Sequence, residues 1–266
     1  MTIIEAVFLG ILQGFTEFLP VSSSGHLILA EHFMGLTEVP LAFDVTLHIG
    51  TLLAVLVFFY KDWLNMLLSV FPGSEVRGAD RRLLLYILAG TIPGALVGYL
   101  IEDFVSTVLR SPWVVVCTLS GVALLLALAE RMAAHARKVS DMRLLDAVVV
   151  GFCQALAVIP GTSRSGITMT GAMFLGFTRA DAARFSFLLS APIIAGAGLY
   201  EAKKLYDAGS AVPGLEYLWG FVASAVSGYA VIAFLMHYLK RHTFYPFVIY
   251  RLILAGIVTA ALLSGG

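Results

Sequence analysis

The sequence predicts an all-α, polytopic membrane protein, and its bulk composition carries that prediction. Of the 266 residues, 59% are hydrophobic and 13% are charged, whereas soluble domains carry about 25% charged residues. A soluble fold of this length cannot bury so much apolar side chain, but a bilayer can surround it. The formal net charge is zero, so no basic surface indicates nucleic acid as a partner.

Apolar runs of spanning length predict about six full membrane spans. They cover residues 46–60, 83–101, 113–130, 184–200, 217–238 and 246–263. Pro93 and Pro192 lie inside the second and fourth runs, where we expect kinks that neighbouring helices stabilise. The chain is therefore expected to form a single integral membrane domain over residues 1–266.

Two further apolar segments run into polar turns and predict re-entrant helical hairpins. Residues 3–19 run into LPVSSSGH, and residues 145–159 run into IPGTSRSG. A second short helix is expected after each turn, over 24–34 and 165–177. Irregular backbone of this kind survives at membrane depth only where protein or a watery cavity surrounds it.

The two hairpins resemble one another, which predicts an internal repeat. GILQ at 10–13 matches GFCQ at 151–154, and the PVSSSG turn resembles the PGTSRSG turn. An offset of about 140 residues suggests one duplicated unit, with repeats near 1–105 and 145–266. Three spans separate the hairpins, so the second enters from the opposite face. The repeats are then inverted, and both polar turns meet near the midplane.

Loop charges predict the orientation of this arrangement. Lysine and arginine concentrate in the segments 61–82, 131–143 and 240–241. The positive-inside rule puts these segments in the cytoplasm, so the first hairpin enters from outside. Lys203 and Lys204 fall on the outer side and run mildly against this assignment.

Ionisable and hydroxyl side chains gather at the two turns and form the candidate site. Gln13 and Glu17 are four residues apart and share a helix face. The first turn then carries Ser22, Ser23, Ser24, Gly25 and His26, and the second carries Gly161, Thr162, Ser163, Arg164, Ser165, Gly166 and Thr168. Ionisable groups at membrane depth are costly, so they are functional candidates by default.

This set of groups suits an oxyanion such as phosphate. A guanidinium fork matches phosphate oxygens, and helix N-termini offer amide groups to anions. A serine hydroxyl paired with a histidine is the usual start of nucleophilic catalysis. We expect Arg164 and the turn hydroxyls to bind phosphate, with Ser23 as nucleophile and His26 as general base and then acid. Ser22, Ser24 or a water activated by His26 stay open as alternatives to Ser23.

Glu17 has three roles open to it. It could orient His26, act as a base, or bind a divalent cation together with Gln13 through hard oxygen ligands. Other polar groups are interpreted as structural. Asp44 and His48 could border the cavity, although structure alone explains them, and Tyr250 with Arg251 is interpreted as an interfacial anchor.

These motifs resemble those of the undecaprenyl-diphosphate phosphatase family, also called the bacitracin-resistance family. QGFTEFLPVSSSGH at 13–26 is similar to its (E/Q)xxxE segment followed by PVSSxGH, and PGTSRSGIT at 160–168 is similar to its PGxSRSxxT motif. The resemblance covers essentially the whole chain. Gln13 stands where many members have glutamate. An amide can bind a cation but cannot act as a base, which shifts that role towards Glu17.

The resemblance implies a multi-pass enzyme of the bacterial inner (plasma) membrane. Its implied reaction is hydrolysis of undecaprenyl diphosphate to undecaprenyl phosphate and inorganic phosphate, which recycles the lipid carrier for cell-wall synthesis. It also implies a divalent cation, Mg²⁺ or Ca²⁺, and a site that opens to the outer side. The expected partners are the prenyl diphosphate and membrane lipids, and a homodimer is left open.

The residues themselves leave one function of another class open. A secondary transporter or flippase for phosphate or a lipid phosphate would also use broken helices that meet at the midplane. His26 and Glu17 distinguish the two functions, because transport of an anion needs no base.

Overall fold

A computed structural model describes residues 1–36, 39–71, 78–109, 111–207 and 214–264, without the side chains at 32, 33, 102–108, 205 and 206. Two basic loop residues lie outside the described residues: Arg77, in the segment 61–82, and Arg110, the single basic residue of the loop 102–112. Within those residues the chain forms eleven α-helices and one short 3-10 turn, with no β-strand. The predicted all-α class is therefore confirmed.

Each predicted hairpin consists of two short helices on either side of a turn. The first hairpin comprises α1 (Ile3–Phe18) and α2 (Ser23–Phe33). The second comprises α7 (Leu144–Leu156) and α8 (Arg164–Phe174). The longest of the four has 16 residues, whereas a helix that crosses a bilayer needs about 20.

Six longer helices in the described part of the chain are apolar enough to cross a bilayer. They are α3 (Leu41–Phe58), α5 (Gly78–Val108), α6 (Pro112–Met132), α9 (Arg179–Asp207), α10 (Leu215–Tyr238) and α11 (Tyr245–Leu263). The predicted polytopic membrane fold is thus confirmed. The first span begins at Leu41 rather than at residue 46, and α5 and α9 continue as helix through Pro93 and Pro192. A short helix α4 (Tyr60–Leu68) follows the first span, where no separate element was expected from the sequence.

The first helix of each hairpin packs against a span from the other half of the chain. α1 lies along α10, and α7 lies along α5. A Cβ on Gly14 would overlap the Ser227 side chain of α10. A Cβ on Gly151 would likewise overlap the Gly90 carbonyl of α5. Small residues let helix backbones approach this closely in membranes. The inverted orientation of the two repeats stays a prediction.

Ion pairs hold the helix ends that lie in or beside the segments assigned to the cytoplasm. They join Arg137 to Asp146, Arg179 to Glu130 and Arg184 to Asp62. The pairs link α4, α6, α7 and α9 around the start of the second hairpin. These ion pairs therefore fix how the neighbouring helices pack around the start of α7.

Candidate active site

The two hairpin turns share one backbone construction. Ser22 and Ser163 precede α2 and α8, and both have positive φ, 78° and 70°. Each hydroxyl accepts a hydrogen bond from the amide three residues on, Gly25 N at 3.4 Å and Gly166 N at 3.1 Å. Serine is a favoured helix N-cap, but a positive φ is strained for it and persists only where the surroundings enforce it. The turns are therefore rigidly defined, and Ser23 and Arg164 become the first residues of equivalent helices.

Glu17 joins the first residues of these two helices. The Ser23 hydroxyl donates to Glu17 Oε2 at 2.6 Å, and Arg164 Nη2 donates to Glu17 Oε1 at 2.6 Å. Gln13 Nε2 also donates to Oε2, at 3.0 Å. Glu17 is only 7% exposed, and the arginine balances its charge, as a buried carboxylate requires. Four residues predicted from the sequence to share one site therefore do meet.

His48 lies on the other side of the Glu17 carboxylate. Its Nδ1 is 2.8 Å from the Asp44 carbonyl oxygen, and a carbonyl only accepts, so Nδ1 carries the proton. Its Nε2 is 3.7 Å from Glu17 Oε2. His48, Glu17, Arg164 and Gln154 supply the polar lining of a cavity of about 350 Å³. Of the two interpretations given for His48, the structure bears out the one in which it borders the cavity.

His26 is turned away from Ser23 and towards α11. Its Nδ1 lies 2.7 Å from the Ser22 carbonyl oxygen and its Nε2 lies 2.6 Å from the Tyr250 hydroxyl. The two rings stack, with centroids 5.6 Å apart. The direct Ser23–His26 hydrogen bond expected from their spacing is therefore not formed. Ser23 and His26 are three positions apart on α2, and their side chains project towards different helices. Ser23 faces α1 and His26 faces α11.

Arg251 is buried between the two turns, so its interpretation as an interfacial anchor is wrong. It is 0% exposed. At 3.0–3.2 Å it donates to the carbonyl oxygens of Pro20, Gly161, Thr162, Thr118 and Leu119. One guanidinium thus holds the first turn, the second turn and α6 together. The sequence carried a signal for this role, because a lone arginine inside an apolar span is energetically costly unless groups inside the protein bind it.

The other predicted phosphate ligands mainly stabilise the turns. The Ser165 hydroxyl donates to the Leu19 carbonyl at 3.0 Å, and the Thr168 hydroxyl donates to the Arg164 carbonyl at 2.7 Å. Both side chains are 0% exposed. Ser24 lies beside the Ser22 hydroxyl, at 3.4 Å. Ser165 and Thr168 were predicted to bind phosphate, but their hydroxyls face other protein groups instead of the cavity.

The residues around Glu17 provide only part of a cation site. No cluster of three or more His, Cys, Asp or Glu side chains able to hold a metal occurs in the described ranges. Gln13 Oε1 is buried and has no hydrogen-bond partner among the described residues, and its side chain touches Glu17. These are hard oxygen donors of the kind that Mg²⁺ and Ca²⁺ prefer. They fit such an ion if phosphate oxygens and water complete its coordination.

Comparison with known proteins agrees with the motifs. A family model described as bacitracin resistance protein BacA matches residues 6–257. The chain is 47% identical over 270 residues to an undecaprenyl-diphosphatase of Rubrobacter xylanophilus, with 99% of each chain covered. It is 48% identical over 263 residues to an undecaprenyl-diphosphatase of Desulforudis audaxviator, with 98% of each chain covered. A third, from Moorella thermoacetica, is 44% identical over 262 residues, with 98% of each chain covered.

Proposed function

The chain belongs to the bacitracin resistance protein BacA family, and from that membership we propose that it hydrolyses undecaprenyl diphosphate to undecaprenyl phosphate and inorganic phosphate. This reaction returns the lipid carrier to cell-wall synthesis. One observation carries the proposal: the Glu17 carboxylate holds a hydroxyl from one hairpin and a guanidinium from the other. A transporter or flippase would use the guanidinium, but it has no need of a hydroxyl aligned on a carboxylate.

The diphosphate binds where the two turns meet. Arg164 exchanges its hydrogen bond with Glu17 for phosphate oxygens, which a guanidinium fork matches in pairs. The N-termini of α2 and α8 add backbone amides and the positive ends of two helix dipoles. Arg251 contacts no carboxylate in the described part of the chain, so its positive charge also favours an anion between the turns.

Ser23 attacks the terminal phosphorus in the first step. A bond forms between Ser23 Oγ and phosphorus, and the bond from phosphorus to the bridging oxygen breaks. Undecaprenyl phosphate leaves with that electron pair. The proton of the hydroxyl goes to Glu17 Oε2, which already accepts it in a hydrogen bond of 2.6 Å. Positioning and charge stabilisation supply most of the catalysis in phosphoryl transfer, and both are present here.

Water releases phosphate from Ser23 in the second step. Its oxygen attacks phosphorus, the bond to Ser23 Oγ breaks, and Ser23 recovers its proton from Glu17. His26 Nε2 takes the proton of the Tyr250 hydroxyl, which lies 2.6 Å away, and the tyrosine oxygen takes the proton of the attacking water in turn. The ring stack of the two residues keeps this pair aligned. Ser22 and Ser24 keep the turn in shape in this scheme.

The cation and the membrane setting complete the proposal. Glu17 and Gln13 would hold Mg²⁺ or Ca²⁺, and the ion would offset the charge of the phosphate groups. The protein lies in the bacterial plasma membrane, and its site opens to the outer side. Every residue in the scheme comes from one chain, so a homodimer is not required for the reaction.

Phosphate release by the purified protein in detergent micelles tests the proposal. With undecaprenyl diphosphate and Mg²⁺ we expect turnover that a chelator abolishes and that His26→Ala and Arg164→Ala each remove. Circular dichroism of both variants checks that they are folded. A protein that binds the lipid but releases no phosphate would contradict the proposal. Acid quenching should trap a phosphoserine intermediate on wild-type protein but not on Ser23→Ala. If the oxygen of isotopically labelled water enters phosphate without such an intermediate, Ser23 is excluded as nucleophile.

A further inference from the structure

Gln154 is a buried polar residue whose side-chain amide lacks hydrogen-bond partners among the described residues. It lies near the end of α7 and is 2% exposed. Neither its Nε2 nor its Oε1 has a hydrogen-bond partner among the residues that the structure describes. Buried amides in native proteins nearly always have partners, and each exception calls for an explanation.

The Gln154 side chain lines the cavity into which Glu17 and Arg164 also face. Gln154 lines that cavity together with Glu17, His48 and Arg164. Gly94 of α5 makes room for it, since a Cβ at that position would come within 3.2 Å of Gln154 Nε2. The unpartnered amide is thus directed into a space that the fold leaves open, and the space has charged groups in it.

The matching glutamine of the first hairpin uses its amide nitrogen to contact a site residue, although its Oε1 has no partner among the described residues either. Gln13 occupies the position in α1 that Gln154 occupies in α7, by the GILQ and GFCQ match. Gln13 donates to Glu17 at 3.0 Å, which orients a site residue. No such contact exists for Gln154 in the described ranges. A methionine would fill the same volume without leaving polar atoms unpaired, so packing does not explain the amide.

The rest of the cavity has the character expected for the start of a lipid tail. Its remaining lining is apolar and comes from α3, α5, α9 and the second turn, with Val45, Val158, Ile193 and Ile194 among its members. A ligand that satisfies the whole cavity therefore has an anionic head for Arg164 and an apolar part next to it. A prenyl diphosphate has both.

We propose that Gln154 binds the substrate, with its Nε2 donating to a phosphate oxygen of the prenyl diphosphate. This inference rests on the proposed function and adds a residue to its substrate contacts. The amide is neutral, so it contributes a directed hydrogen bond without changing the charge that Arg164 and the cation provide. Its carbonyl oxygen accepts from water bound with the phosphate. Binding thereby satisfies an amide that the free protein leaves unpaired.

The Gln154→Met variant tests this role against a structural one. Methionine has a similar volume and no hydrogen-bonding amide. We expect KM for undecaprenyl diphosphate to rise roughly tenfold or more, the worth of one hydrogen bond to a charged acceptor, while Tm without substrate stays level or rises. A structural role predicts the opposite, a lower Tm with KM unchanged. Thr91→Val, a polar-to-apolar change on α5 outside the cavity, is the matched control and should alter neither KM nor Tm.

A binding measurement keeps this inference separate from the proposed reaction. Farnesyl diphosphate is titrated against Ser23→Ala protein with Mg²⁺, with and without Gln154→Met, and Kd is taken from the rise in Tm. We expect Kd to be weaker by roughly tenfold in the double variant. Equal Kd values, or no rise in Tm in either protein, would overturn the role of Gln154. If the Kd values differ as expected but wild-type protein releases no phosphate, the proposed hydrolysis is overturned and the role of Gln154 in binding is kept.

Discussion

The hydroxyl of Tyr250 lies 2.6 Å from Nε2 of His26, although the two residues are 224 positions apart in the chain. Their rings are nearly parallel, with an interplanar angle of 9°. Because Nδ1 of His26 donates to the Ser22 carbonyl oxygen, Nε2 is the acceptor of the neutral ring and the tyrosine is its donor. The Ser22 carbonyl therefore sets the tautomer of His26, and Tyr250 fixes the orientation of its ring.

Tyr250→Phe should lower kcat by about tenfold, because it removes one hydrogen bond but keeps the ring stack. Tyr250→Ala should lower it further, since the ring is lost as well. The measurement is steady-state phosphate release in detergent. Tyr245→Phe, at an exposed tyrosine of the same helix, is the control and should behave as wild type. Full activity in Tyr250→Phe would show that His26 acts without its hydroxyl partner.

Arg164→Lys should lower kcat/KM by about 100-fold, because an ammonium keeps the charge but not the fork that binds two phosphate oxygens. Glu17→Gln should have a loss of similar size, since it removes the proton acceptor of Ser23. If Glu17, Ser23 and Arg164 act as one unit, kcat/KM of the double variant with both substitutions falls little below that of either single variant. Arg184→Lys, on α9 and outside this site, is the control. Fully additive losses would argue against a shared site.

Arg251→Met should destabilise the protein by about 3 kcal/mol or more, because several buried carbonyl groups lose a charged donor at once. Thermal unfolding in detergent measures this change. Arg251→Lys should restore only part of the stability, since one ammonium cannot reach acceptors in both turns and α6. Arg241→Met, at an exposed arginine, should leave Tm unchanged. Complete rescue by lysine would mean that charge, and not the fixed turns, is what Arg251 supplies.

Gln13→Glu should lower the Mg²⁺ concentration for half-maximal activity by about tenfold, because a second carboxylate beside Glu17 adds a charged ligand. Gln13→Leu should raise that concentration, since the buried Oε1 is lost. The measurement is phosphate release over a Mg²⁺ titration that starts from chelator-treated protein. An identical titration midpoint in wild type and both variants would place the cation elsewhere.

The membrane fold and the main site motifs could be predicted from the sequence because both follow from local chemistry. Runs of apolar residues identify spans by length alone, and six were confirmed. The short polar turns after α1 and α7 stood out against their apolar surroundings. The motifs in these turns also carried the family resemblance, which the match over residues 6–257 confirms.

The contacts of the site could not be predicted, because they join residues far apart in the chain. Spacing along α2 suggested a Ser23–His26 pair, but α1 provides Ser23 with Glu17 and α11 provides His26 with Tyr250. Arg251 was placed at the interface for the same reason: its position in the last span says nothing about which carbonyl groups surround it. Only packing could reveal that those groups belong to both turns.

The sequence by itself thus determined the class of protein, the number of spans and the two polar turns, since hydrophobic length and turn chemistry are properties of contiguous residues. Tertiary structure alone decided that Glu17 binds Ser23 and Arg164 together, and that Gln154 is left unpaired against the cavity. Such pairings depend on the direction in which each side chain leaves its helix and on the helix packed beside it. Those directions are fixed only when all the helices have found their neighbours.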